Sequence, residues 1–156
     1  MSGAKVTQPS AREINFSRLI RAPVDVIWDM WSDLRHLHEW YGPFGFTLTT
    51  EEFEFQPGGV WRLTMHGPDG TDYPTRIVFS AIEPKKRIVY ANSWDLPGAP
   101  IDFTMEVTLA AESGGTRLNL QMTFASDAAL QTAVETYGVL NGGVETFERL
   151  AQCAER

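Results

Sequence analysis

Between Phe46 and Phe124 apolar and polar positions alternate in runs that turn residues interrupt. Trp61, Leu63 and Met65 share one side of such a run, and so do Ile88, Tyr90, Asn92 and Trp94. Phe103, Met105, Val107 and Leu109 form a third row, and Leu118, Leu120, Met122 and Phe124 a fourth. This is the period of two that a pleated strand imposes. The interruptions are Pro57-Gly58-Gly59, Gly67-Pro68-Asp69-Gly70, Pro84-Lys85-Lys86, Pro97-Gly98-Ala99-Pro100 and Ser113-Gly114-Gly115. Such short connections between six strands predict an antiparallel meander. Asn119, Gln121 and Thr123, the alternate positions of the last run, suit a solvent face.

The flanks read differently. Ile14 to Arg21 alternates and predicts a first strand. Pro23 then suits the first turn of a helix, and Val24, Ile27, Trp28 and Trp31 fall on one helical face. Asp33 can cap a second short helix with Leu34, Leu37 and Tyr41 as its stripe. After the meander, Asp127 predicts the start of a long C-terminal helix striped by Leu130, Val134, Tyr137, Asn141, Val144, Phe147 and Leu150 or Ala151. Gly138, Gly142 and Gly143 each weaken it by about 1 kcal/mol relative to Ala, so they call for close packing, a kink or room for a ligand. Met1 to Ala11 is aperiodic and reads as a flexible tail before one domain over 12–156. A long helix can bury its stripe only against the sheet, so the predicted class is α+β, a curved antiparallel sheet wrapped around the C-terminal helix.

The second short helix stops at His38-Glu39-Trp40-Tyr41-Gly42-Pro43-Phe44-Gly45-Phe46. Gly42 can take the positive φ of a helix end, and Pro43 cannot continue the helix. Four rings crowd this stop, either as the floor of a hydrophobic pocket or as an ordinary core corner. The run resembles the tryptophan–glycine–proline signature of the activator of heat-shock-90 ATPase homologue family. Pro57 to Gly70 and Gly142 with Phe147-Glu148-Arg149-Leu150 resemble two further blocks of it, so the likeness covers 12–151. The resemblance implies a START-like, birch-allergen-like helix-grip fold of the SRPBCC superfamily, with a pocket between sheet and C-terminal helix. It specifies fold more than activity. Relatives commonly carry a tryptophan after the glycine that matches Gly142, where this chain has Gly143.

Charge narrows the partners. The chain of 156 residues has 20 acidic and 13 basic side chains, net −7. That argues against nucleic acid and against an anionic membrane surface. A single cysteine, Cys153, permits no internal disulfide, and no signal-like or membrane-spanning run is present, so a cytoplasmic location is expected. Oligomeric state is open between monomer and homodimer.

Catalytic and metal motifs are poorly represented. His36 and His38 would point about 200° apart on a helix and cannot share a metal. There is no GxSxG elbow and no HExxH run, and the glycines sit in hairpin turns rather than phosphate loops. Glu52 and Glu54 share a strand face, readable as an acid–base pair or as an acidic solvent face. His66 and Arg62 lie opposite Trp61 and Met65, on the outward side if the tryptophan row is inward. Asn141 interrupts the apolar stripe and, if buried, needs partners in protein, water or ligand. No catalytic residue, metal site or cofactor is assigned, and enzyme activity is left open. The expected function is binding of a small hydrophobic or amphipathic ligand under the C-terminal helix. The candidate liners are Trp40, Phe44, Trp61, Met65, Phe79, Tyr90, Trp94, Phe103, Met105, Tyr137, Asn141 and Phe147. The resemblance keeps two alternatives: a chaperone-ATPase partner role, for which the relatives' additional N-terminal domain has no room in this chain, and a cyclase, dehydratase or hydrolase.

Overall fold

The computed structural model describes residues 3–156. Its strands are β1 (Lys5–Ser10), β2 (Glu13–Ile20), β3 (Thr47–Phe53), β4 (Val60–His66), β5 (Asp72–Glu83), β6 (Arg87–Trp94), β7 (Ile101–Glu112) and β8 (Gly115–Phe124). The helices are α1 (Val24–Ser32), α2 (Leu34–Trp40), α3 (Asp127–Glu135) and α4 (Val139–Ala154). All strands join one antiparallel sheet in the order β1-β2-β8-β7-β6-β5-β4-β3. After β2 the chain crosses through α1 and α2 to the far edge, then meanders back until β8 pairs with β2. The six predicted strands and their five connecting turns are all present, and α4 packs against β2 with α1 and α2 alongside it. This is the helix-grip α+β fold.

The predicted N-terminal tail is corrected over residues 5–10. Lys5, Val6 and Thr7 pair with Ser17, Phe16 and Asn15 as an edge strand, because the outer edge of β2 offers unpaired backbone groups. Pro9 falls where the register shifts, as an edge strand allows. Met1 and Ser2 of that tail lie outside the described residues.

The long C-terminal helix is corrected too. Gly138 adopts φ 62° and ψ 38°, which ends α3 and starts α4. Ser126 rather than Asp127 caps α3, its Oγ accepting from the Ala129 N–H at 3.0 Å. The break resets the helical phase. In α4, Phe147, Leu150, Ala151 and Ala154 are buried. Gly143 falls on the same stripe, and Asn141, two positions earlier, points away.

Two of the three blocks of the signature, the α2 stop and the C-terminal one, meet at one place. Arg149 Nη1 donates to the carbonyls of Gly42 at 3.0 Å, Pro43 at 2.9 Å and Phe46 at 3.2 Å, and Nη2 to Glu39 at 3.0 Å. One guanidinium thus satisfies carbonyls left open by the α2 stop, where Gly42 has φ 108°. Beside it Glu148 holds the buried Arg18 at 3.0 Å, and Phe147 and Leu150 sit in the core.

Candidate functional site

Between the concave face of the sheet and α3 and α4 lies a cavity of about 560 Å³. Strands β4 to β8 give it Met65, Tyr73, Tyr90, Asn92, Met105, Leu120 and Met122, the α1–α2 region gives Trp31, Trp40 and Tyr41, and α3 gives Thr132 and Ala133. The inward rows supply these side chains because alternate residues of a strand face one way. The small side chains of Ala129 and Ala133 on α3 and the backbone at Gly142 border the space under the helices.

Seven of the expected liners border this cavity: Trp40, Met65, Tyr90, Trp94, Phe103, Met105 and Tyr137. Five do not, and each has a physical reason. Trp61 is buried behind Tyr41, with ring centroids 5.0 Å apart, and its indole N–H donates to Thr50 Oγ1 at 3.1 Å. Phe79 packs edge-on against Phe53 and Phe55. Phe147 is held in the core, 6.4 Å from Phe16. Phe44 is 48% exposed in the turn after α2. Asn141 is exposed on the outer side of α4 and therefore needs no buried partner. The aromatic excess thus divides between the cavity wall and a solid cluster of Trp28, Phe53, Phe55, Trp61 and Phe79.

Several liners went unselected at the sequence level. Asn92 was in the Tyr90–Trp94 row, Leu120 and Met122 in the row of the last strand, and Tyr41 in the helix stop, so the pattern held their signal. Phe16 was in the alternating run of the first strand, whereas Tyr73 and Asp102 carried no such signal and reach the cavity through strand pairing.

The polar groups of the wall are few. Tyr41 Oη and Tyr90 Oη are 3.0 Å apart and hydrogen-bonded. Burial pushes Tyr41 up to about 12 against a smaller opposing effect of this bond. Tyr90 is pushed well above the usual tyrosine range by burial, with Tyr41 adding to the shift. Both phenols therefore stay protonated at neutral pH. Trp40 Nε1 donates to the Met30 carbonyl at 2.9 Å. Trp31, 4% exposed, has no acceptor for its Nε1–H among the described residues. Asp102 is the one acid of the wall, its carboxyl raised by burial, and no lysine, arginine or histidine among the described residues lines it.

Groups with catalytic connectivity lie elsewhere. Thr49 Oγ1 meets His66 Nε2 at 2.7 Å and His66 Nδ1 meets Asp72 Oδ1 at 2.7 Å. The order matches a nucleophile–base–acid relay, but the side chains sit on the outward face, outside the cavity, without the desolvated surroundings such a relay uses. Glu52 lies on that same side beside Arg62 and Asp95, and Glu54 is exposed. Among the described residues no three His, Cys, Asp or Glu side chains are grouped to hold a metal ion, and no helix is long and apolar enough to cross a membrane.

A curved antiparallel sheet gripping a C-terminal helix over an apolar hollow defines a START-like protein of the SRPBCC type. Within that class the chain belongs to the family described as "Activator of Hsp90 ATPase homolog 1-like protein", whose model matches residues 21–155. Among solved structures it is similar to a protein from Arthrobacter aurescens, at 25% identity over 97% of this chain and 91% of that one, with a TM-score of 0.87. Protein Ms6760 from Mycobacterium smegmatis is also 25% identical, over 96% of this chain and 95% of that one, TM-score 0.86. Protein CV1439 from Chromobacterium violaceum shares the fold at 23% identity, over 94% of this chain and 99% of that one, TM-score 0.81. A comparison with the curated proteins finds no match.

Proposed function

We propose that the protein binds a small hydrophobic or amphipathic molecule in the cavity between its sheet and α3–α4. The observation that carries this reading is the unfilled space of about 560 Å³ under an apolar wall, within the size of small-molecule sites. A domain selected for stability alone fills such a space, because voids cost dispersion and burial energy. Tyr137, 56% exposed at the junction of α3 and α4, lies on the rim where a ligand would enter.

Native mass spectrometry of the protein purified from its own host tests this, together with displacement of a naphthalene fluorophore in solution. A retained molecule, or fluorophore binding that Ala133→Phe abolishes, is expected. A clean apo mass with fluorophore binding indifferent to Ala133→Phe contradicts it.

Membership of a family described by its likeness to an activator of Hsp90 ATPase supports a second reading, a partner role toward a chaperone ATPase. Excess protein would then raise the chaperone's ATP turnover, and an unchanged rate removes that reading.

A further inference from the structure

The inner end of the cavity holds hydrogen-bond donors that the protein does not use. Two hydroxyls, Tyr41 and Tyr90, share one hydrogen bond at 3.0 Å. Two O–H protons are present and one bond uses one of them, so whichever hydroxyl accepts has a proton to give. Trp31 lies in the same cluster, its ring centroid 6.4 Å from that of Tyr41, and its buried Nε1–H has no acceptor among the described residues. All three residues line the cavity. Buried donors without acceptors are uncommon in folded proteins, and each costs free energy until an acceptor arrives.

Charge at this site points the same way. Among the described residues no cation lines the wall, so a carboxylate or phosphate would lie there unpaired, at heavy cost. High proton affinity keeps both phenols as neutral donors. Asn92 sits between Tyr90 and Trp94 in the inward row of β6, and Asp102 also lines the cavity. Tyr90 and Trp94 are four residues apart on β6, about 13 Å along a strand, so a ligand of two or three fused rings spans the two ends.

We propose that the cavity selects neutral, largely apolar ligands carrying a carbonyl-type oxygen, which accepts hydrogen bonds from the Tyr41–Tyr90 hydroxyl pair and from Trp31 at the inner end. This rests on the ligand-binding reading and adds the chemical class of the ligand.

Three probes of one shape test it by calorimetry: 2-acetonaphthone, 2-isopropylnaphthalene and 2-naphthoate. Tyr41→Phe/Tyr90→Phe removes both hydroxyls together and leaves apolar rings of the same shape, a change that buried pairs tolerate well. The ketone is expected to lose about tenfold in affinity in this variant, while the hydrocarbon changes by less than about twofold. The carboxylate is expected to bind more weakly than the ketone to the unmodified protein. Equal losses for ketone and hydrocarbon, or a carboxylate that binds as well as the ketone, overturn the proposal and leave ligand binding standing. Failure of all three probes to bind overturns both. Infrared spectroscopy of the ketone bound to the unmodified protein needs no variant. A carbonyl stretch lowered from its position in hydrocarbon solvent is expected, and an unshifted stretch overturns the proposal.

Discussion

Gly143 of α4 stands directly over the ring of Phe16 on β2: a Cβ at position 143 would lie 2.3 Å from Phe16 Cε2 and Cζ. The glycine is therefore a packing requirement rather than a flexible point. A ring from the sheet here approaches the helix backbone. Phe16 also borders the cavity, so this contact sets how far the ring reaches into the hollow.

Gly143→Ala should therefore destabilise the protein, although Ala is the better helix former. Overpacking costs roughly 1–3 kcal/mol, and the helix preference returns about 1 kcal/mol, leaving a net loss of about 1 kcal/mol. Urea unfolding of Gly143→Ala, Phe16→Leu and the double variant measures the coupling. The double variant is expected to lose less than the sum of the single variants.

Gly138 carries the opposite lesson. Nothing lies within 4 Å of a Cβ built there, but its φ is 62°. Ala at this position must adopt a left-handed conformation at a cost of about 1 kcal/mol. Gly138→Ala should lower the urea midpoint, whereas in one continuous helix the same change would raise it.

Removing Arg149 takes a donor from the carbonyls of Glu39, Gly42, Pro43 and Phe46, of which Pro43 keeps the Phe46 N–H at 3.2 Å. Arg149→Met should cost about 2–3 kcal/mol in chemical denaturation, by loss of several charge-assisted bonds. Arg149→Lys should recover little of it, because an ammonium cannot span four acceptors with a planar fork.

Acid should weaken the α2 N-terminus. The Asp33 carboxylate accepts from the Arg35 N–H at 2.9 Å and from the Arg35 guanidinium at 2.8 Å, and these bonds lower its pKa from 3.8 to about 2. The folded state thus holds its proton less tightly than the unfolded chain. The stabilisation is present above pH 3.8 and is lost as pH falls through about 2. Thermal unfolding between pH 5 and pH 2 should show a smaller pH-dependent loss in Asp33→Asn, which keeps a capping side chain without the titration.

Much of the fold was legible because strand alternation and Gly-Pro turns are local. The rows through Trp61, Ile88, Phe103 and Leu118 named their strands, and Gly42 and Pro43 named the α2 stop. The site was less legible for the same reason. Periodicity tells which side of β4 Trp61 occupies, but not that Tyr41 stands between it and the cavity. It carried the helical phase through Gly138 and so turned Asn141 inward, when a single left-handed residue resets that phase. The β1 strand escaped because Pro9 and polar residues suit an edge, where pairing depends on the neighbour rather than on burial.

Indole N–H resonances in a two-dimensional NMR titration test the central claim most directly. Trp31, Trp40 and Trp94 line the cavity, and Trp28 and Trp61 do not. Addition of 2-acetonaphthone should shift or broaden the first three indole signals and leave the other two in place. Shifts confined to Trp28 and Trp61, or five unmoved signals at saturating ligand, would contradict a binding cavity between sheet and helix.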